Sequence, residues 1–415
     1  MTRSRPDAVA ALSVPITFVL VNLLSYALLL AAAHLLPKSA YGALSSLLGL
    51  LLISTIPMLA LQTVAARRAA AGAGSAGLVR GTAVVGAAVA LVLVAASPAL
   101  AAFLHLSGVV GVLLVAASVP GGAVLGTAMG IAQGRRHFGR LAVLIALATG
   151  GRSATGLVGL VVGRSTDATL LGVAVGLTGA ALAVGLVHPG GRPGYGASLR
   201  DRTRTGVLAE TLGAALAHGT FLLLTSLDVL LARHVLPAGE AGVYAVGSVV
   251  TRAAVWLPQS VVALMFASLA EEHRHHRTAR QASAVVVAIG AVLVLGTAAT
   301  GRLVVTVVGG AKYHRLDSVM WLFALLGALL AVLQLSVLAG LAQRTAKRSL
   351  LLLWATVVLD LAIVLAAGDD MTTTRLVATL TAVAAVAAAA GSWLTVRAPR
   401  APVQPVLPAG HGPAA

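Results

Sequence analysis

The chain contains no cysteine, which excludes disulfides and thiolate metal ligation. Acidic residues are scarce, 12 Asp and Glu against 29 Lys and Arg in 415 residues, and the only lysines are Lys38, Lys312 and Lys347. Charged residues of both signs make up 10% of the chain and aromatics 4%, while 59% is hydrophobic. So few charges cannot clothe a soluble fold of this length, and lipid must be the solvent. No Gly-x-x-x-x-Gly-Lys-Ser/Thr loop is present to cradle ATP phosphates, and there is no His-Glu-x-x-His, no Gly-x-Ser-x-Gly and no dense carboxylate cluster. Enzymatic chemistry, a resident cofactor and a metal centre are therefore not expected. The run from Glu271 to Arg277 carries three histidines and two glutamates, but it falls in a loop and reads as a solvated charged segment.

What the chain has is twelve apolar runs, each long enough for a helix of about 20 residues to cross a bilayer. They lie near 9–36, 40–66, 78–103, 108–133, 140–162 and 167–188, then 207–235, 240–269, 281–308, 317–342, 347–368 and 373–396. The runs are continuous rather than alternating, which excludes the period-2 pattern of a membrane barrel. The expected fold is an all-α polytopic membrane protein with about twelve transmembrane helices in two six-helix lobes, 1–188 and 207–396. A Gly-, Pro- and Arg-rich linker (189–206) joins them, and a tail with five prolines (397–415) reads as disordered. The first run follows a basic start but exceeds a signal-peptide core, so it reads as a retained helix.

The net charge of +17 would suit nucleic acid if it were clustered, but it follows the loops. With the N-terminus inside, twenty of the basic residues fall on inner loops, seven on outer loops, and Arg152 and Arg252 within spans. That bias orients both termini to the cytoplasm. It also gives the inner face contact with anionic lipid, with no nucleic-acid partner required.

A junction is written twice, two hundred residues apart: Ala32-x-His34-x-Leu36-Pro37-x-x-x-x-Gly42 and Ala232-x-His234-x-Leu236-Pro237-x-x-x-x-Gly242. Leu24-Ser25 answers Leu224-Thr225, and Pro57 answers Pro258 with one residue inserted. Each copy sits where one apolar run ends and the next begins, as a doubled bundle would place it. Gly122, Gly126 and Gly130 recur at intervals of four, predicting a face of close helix contact, and Gly156, Gly159 and Gly163 extend that pattern.

An ionisable side chain at the centre of a bilayer costs at least ~2.5 kcal/mol and must face a partner or water. Four such residues stand out: Arg152, Asp228, Arg252 and Asp360. Asp228 lies eight residues before Leu236 and Arg252 ten after Gly242, so at ~1.5 Å per residue they sit at similar depth. They read either as a structural ion pair or as charges lining an aqueous cavity. Arg152 follows paired glycines that weaken its helix, and Asp360 has no partner evident in sequence. Asn22, Gln62 and Gln259 add neutral polar groups on helices expected to line the lobe interface.

The segment Leu35-Leu36-Pro37-Lys38-Ser39-Ala40-Tyr41-Gly42 resembles the first extracellular turn of the polysaccharide biosynthesis proteins. These are the oligosaccharide flippases of the multidrug/oligosaccharidyl-lipid/polysaccharide (MOP) exporter superfamily. Leu227-Asp228-Val229-Leu230-Leu231-Ala232-Arg233-His234-Val235-Leu236-Pro237, followed by Glu240-Ala241-Gly242-Val243-Tyr244, is similar to that family's seventh-helix aspartate and following turn. The likeness continues through Arg252 to Pro258 and Gln259. It implies two lobes rocking about a cationic cavity that moves a lipid-linked glycan across the bacterial cytoplasmic membrane, with Arg252 as first phosphate partner, Asp228 holding it in one state, and Arg152 second. A cation-coupled multidrug exporter of the same superfamily, with Asp228 or Asp360 as coupling acid, is the first alternative. The second is a non-transporting scaffold that recruits polysaccharide-synthesis enzymes.

Overall fold

Backbone amides in lipid have no water to bond, so a chain this apolar satisfies them within helices. The computed structural model of the chain describes residues 5–72, 76–187, 203–269, 275–342, 346–367 and 371–396. The linker core, the proline-rich tail and Glu271–Arg274 of the histidine-containing run lie outside the described residues.

The first half comprises α1 (Arg5–Leu35), α2 (Lys38–Ser54), α3 (Ile56–Ala70), α4 (Ala76–Ala95), α5 (Ser97–Phe103), α6 (Val110–Gly134), α7 (Phe138–Ile145), α8 (Arg152–Gly163) and α9 (Thr166–Val187). A π-helical turn, Ala146–Gly151, joins α7 to α8. The second half comprises α10 (Thr203–Val235), α11 (Ala238–Leu269), α12 (His275–Val308), the 3₁₀ turn Ala311–Leu316, α13 (Met320–Ala342), α14 (Ala346–Ala367) and α15 (Thr373–Val396).

Several of these helices are pieces of one crossing. α2 and α3 run on as a single span, interrupted at Thr55 just ahead of Pro57, whose ring removes a helical N–H. α4 and α5 bend by 59° at the Ala96-Ser97-Pro98 step. Among the described residues nine stretches are long and apolar enough to cross a membrane unaided, and the bent pair makes a tenth. α10 (33 residues) and α11 (32 residues) are long enough for two more, which brings the layout to the twelve expected crossings.

Each half is built around its fourth crossing. α6 packs against α3, α4 and α9, and α13 packs against α11, α12 and α15. The halves meet chiefly where α2 and α3 lie against α10 and α11. The doubled junction explains that meeting. A Cβ on Gly42 would fall 2.9 Å from the backbone nitrogen of Gly242, and one on Gly242 would collide with the carbonyl oxygen of Lys38. Only glycine lets the two helix starts touch backbone to backbone, and each copy of the motif touches its own counterpart.

The predicted glycine face on α6 is shifted by one turn. Gly126, Gly130 and Gly134 press on Met58, Gln62 and Ala66 of α3, whereas Gly122 faces open space. In the second stripe, Gly159 and Gly163 approach Ala168 of α9 as expected.

Candidate functional site

A cavity of about 190 Å³ lies between the halves, at mid-depth. Its wall comes from α1, α2, the π turn, α8 and α9 on one side and from α10 and α11 on the other. Arg152 and Arg252 both line it, one from each half, with Asn22 beside them. Among the described residues neither arginine forms an ion pair, although Arg252 lies within electrostatic reach of Asp228. Nε and Nη2 of Arg252 are buried without an acceptor, and the Arg152 guanidinium makes no hydrogen bond among the described residues. Among the described residues no Asp or Glu lines the cavity.

The local sequence explains how Arg152 arrives there. The π turn ends at the paired glycines Gly150 and Gly151, and the widened turn re-aims the helix immediately before Arg152. Behind it, Gly176 of α9 lets the Arg152 backbone approach more closely than a side chain would permit, since a Cβ there would fall 2.8 Å from the Arg152 Cα. Ser153 then bonds Ser25 of α1 at 2.9 Å, fixing α8 against α1.

Four cavity residues carried too little sequence signal to be singled out: Tyr26, Thr149, Ser226 and Trp256. Ser226 Oγ is buried and unpartnered, and the Trp256 ring meets Phe221 edge to face at 6.5 Å. A lone serine or tryptophan in an apolar run has no periodicity to mark it. Only the fold assembles them.

Of the two readings of Asp228 and Arg252, the ion pair is not formed in this structure. Asp228 Oδ1 has no partner, and Oδ2 receives a long 3.5 Å contact from the Tyr244 hydroxyl. Depth along the helix was the right quantity, but azimuth decides the contact. Asp228 is two residues past Ser226, about 200° around α10, so as Ser226 faces the cavity Asp228 faces the interior of its own half. There it shares a small pocket with Asp360, walled by Leu224, Leu227, Leu231, Leu326, Leu330 and Leu380. Asp360 thus has a neighbour after all. Oδ1 of each carboxyl group is buried and unbonded.

Gln62 is not at the cavity. Past the break at Thr55 it lies in the α3–α6 seam, where its carbonyl faces Gly130. The side chain of Gln259 lies outside the described residues.

Two clasps close the molecule at the end that carries the doubled turns. From α10, Arg233 donates through Nε to the Leu104 carbonyl (2.9 Å) and through Nη2 to that of His105 (2.9 Å). His234 Nδ1 meets the Phe103 carbonyl at 2.9 Å, and its ring stacks on Phe103 at 4.1 Å. In the second clasp the donor again comes from the second half: Lys312, in the 3₁₀ turn, donates to the carbonyls of His34 (3.2 Å) and Leu36 (2.7 Å) at the end of α1. Partial burial and the nearby Lys38 hold the Lys312 ammonium below the usual lysine range. An outlying ion pair, Arg315 to Glu240 at 2.7 Å, ties the same turn to the start of α11.

The fold has counterparts among solved structures. An outward-facing multidrug resistance MATE family transporter of the MOP superfamily superposes with a TM-score of 0.64 at 14% identity, over 94% of both chains. The eukaryotic MATE transporter AtDTX14 gives 0.63 at 15% identity, over 94% of this chain and 96% of that one. A MOP superfamily transporter from Pyrococcus furiosus, described as having a binding pocket of reversed polarity, gives 0.55 at 14% over 93% and 94%. No protein-family model and no curated protein matches the chain by sequence.

Proposed function

We propose that this chain is a transporter that carries an anionic, lipid-linked saccharide precursor of the cell envelope across the bacterial cytoplasmic membrane by alternating access. The observation that supports this most is the pair of arginines, one from each half, that line one cavity and form no ion pair among the described residues. A guanidinium left unpaired in the membrane interior is costly, and an anion that enters between Arg152 and Arg252 relieves both at once. It also bridges the halves, which ties occupancy to their relative motion. A lipid-linked phosphate suits the setting, since its tail stays in the bilayer while the headgroup needs a polar passage. In this reading the doubled-turn end faces outward, both termini face the cytoplasm, and the inner loops contact anionic lipid.

Deletion of the gene accumulates lipid-linked precursor in the inner leaflet, wild type restores export, and Arg252→Ala does not. Unchanged envelope glycan in a deletion strain that has no second transporter of the kind sinks the proposal.

A cation-coupled multidrug exporter is the second reading, favoured by the shared pocket of Asp228 and Asp360 and by the multidrug transporter among the structural neighbours. The two readings differ in cargo, while the acids serve as coupling groups in either. Drug resistance that disappears in Asp228→Asn with glycan export unaltered selects the exporter. Function that survives Arg152→Ala with Arg252→Ala but fails on deletion of 397–415 selects a scaffold for polysaccharide-synthesis enzymes.

A further inference from the structure

Donors prevail among the unpartnered groups of the cavity: the Arg152 guanidinium, Nε and Nη2 of Arg252, and the Ser226 hydroxyl, which can also accept. They converge from α8, α11 and α10, the geometry that a tetrahedral phosphate satisfies with oxygens on several sides. The remaining wall offers little to a sugar chain. Leu28, Leu29, Leu48, Leu51, Leu52 and Leu222 form much of it. Several of its other polar groups are already engaged: Ser25 with Ser153 at 2.9 Å, Thr225 with the Phe221 carbonyl at 3.1 Å, and the Asn22 amide nitrogen with the Phe18 carbonyl at 2.7 Å, which leaves chiefly the Tyr26 and Thr149 hydroxyls and the Asn22 side-chain carbonyl for a sugar. An oligosaccharide here would bury many hydroxyls without partners, each an unfavourable transfer.

Size points the same way. At roughly 10–15 Å³ per enclosed water-sized atom, the cavity of about 190 Å³ accommodates little more than a phosphate and one hexose ring. Tyr26 and Trp256 supply aromatic surface with a polar edge, suited to the apolar face of such a ring. On the same helix as Asn22, Leu20 and Leu23 are each 60% exposed, so α1 also presents apolar surface of the kind a lipid tail requires.

Resting on the transport reading above, we infer that the ligand is an isoprenoid lipid monophosphate bearing no more than one sugar. Its phosphate is held by Arg152, Arg252 and Ser226, and its ring lies against Trp256. The selectivity is then for a short headgroup, and oligosaccharides on a pyrophosphate are excluded by the leucine wall.

The test is binding to the full chain in nanodiscs, followed by native mass spectrometry and by competition. Four probes are compared: a polyprenyl phosphate, a polyprenyl-phosphate hexose, a polyprenyl pyrophosphate carrying an oligosaccharide, and inorganic phosphate. The two monophosphate lipids bind at least ten-fold tighter than the oligosaccharide lipid, and inorganic phosphate competes only weakly. Arg152→Gln and Arg252→Gln each lower lipid affinity about ten-fold. Trp256→Ala weakens the hexose form several-fold yet leaves the bare phosphate lipid unchanged, and Trp256→Phe recovers most of the loss. Equal or tighter binding of the oligosaccharide lipid overturns the short-headgroup inference and leaves the transport reading standing. Failure of every lipid to bind overturns both, and phosphate competing at the affinity of the lipids makes a free anion the ligand.

Discussion

At the scale of single residues, the cavity owes its character to two arginines that form no ion pair among the described residues. A hydrogen bond to a charged group contributes about 1.5–3 kcal/mol, so Arg252→Ala cuts transport at limiting substrate by about ten- to a hundred-fold. Arg252→Lys recovers only part of this, because an ammonium lacks the planar fork. Measured uptake into inverted vesicles gives the ratio directly. The acids answer a different assay. Asp228→Asn and Asp360→Asn remove the dependence of transport on an ion gradient while ligand affinity stays within about two-fold, since neither carboxyl group touches the cavity. A ligand affinity that collapses in Asp228→Asn refutes that division of labour. All four charged residues were legible in the sequence because charge within an apolar run is conspicuous. Their pairing was not, because sequence gives depth along a helix and a 100° step per residue decides which face each presents. Ser226 shows the reverse case: a small hydroxyl residue in a helix is too common to be marked until its neighbours are known.

At the scale of elements, the twelve crossings could be read from continuous apolar runs, and the helix ends agree closely with the expected limits. The internal breaks were less visible. Pro57 and Pro98 mark the interruptions near Thr55 and Ala96, but the π turn at Ala146–Gly151 has only the Gly-Gly pair as a hint, since a π turn adds a residue without changing composition. That added residue matters. Deleting Gly150 to restore a regular α-helix turns Arg152 by about 100° relative to α7. The shortened protein keeps its helical circular dichroism and loses ligand affinity to the same degree as Arg152→Gln. The glycine contact between α2 and α11 is the other sensitive element. Gly242→Val drives a side chain into the Lys38 carbonyl, and overpacking of this kind costs about 1–3 kcal/mol. Its thermal midpoint in detergent falls by several degrees, whereas Gly239→Val, which meets open space one turn earlier, leaves the midpoint unchanged.

At the scale of the whole molecule, the two clasps hold one end shut over the cavity. Because each reaches from one half to backbone carbonyls of the other, separating the halves at that end must break both together. Arg233→Ala combined with Lys312→Ala therefore shifts the population toward a form open at the doubled turns. The chain has no cysteine of its own, so a thiol introduced at Thr225 in the cavity wall reports that shift without background. Its labelling by a membrane-impermeant reagent from that side rises about ten-fold in the double variant, and an unaltered rate shows that the clasps do not gate access.

The meeting of Gly42 with Gly242 has a consequence for descent. A surface that binds its own copy across a two-fold axis is isologous, the arrangement by which identical subunits dimerise. Residues 38–42 already contain what is needed to recognise a second version of themselves. A six-crossing ancestor bearing one such turn would have been able to pair with its twin, and a junction written twice is what the fusion of such a pair would leave behind.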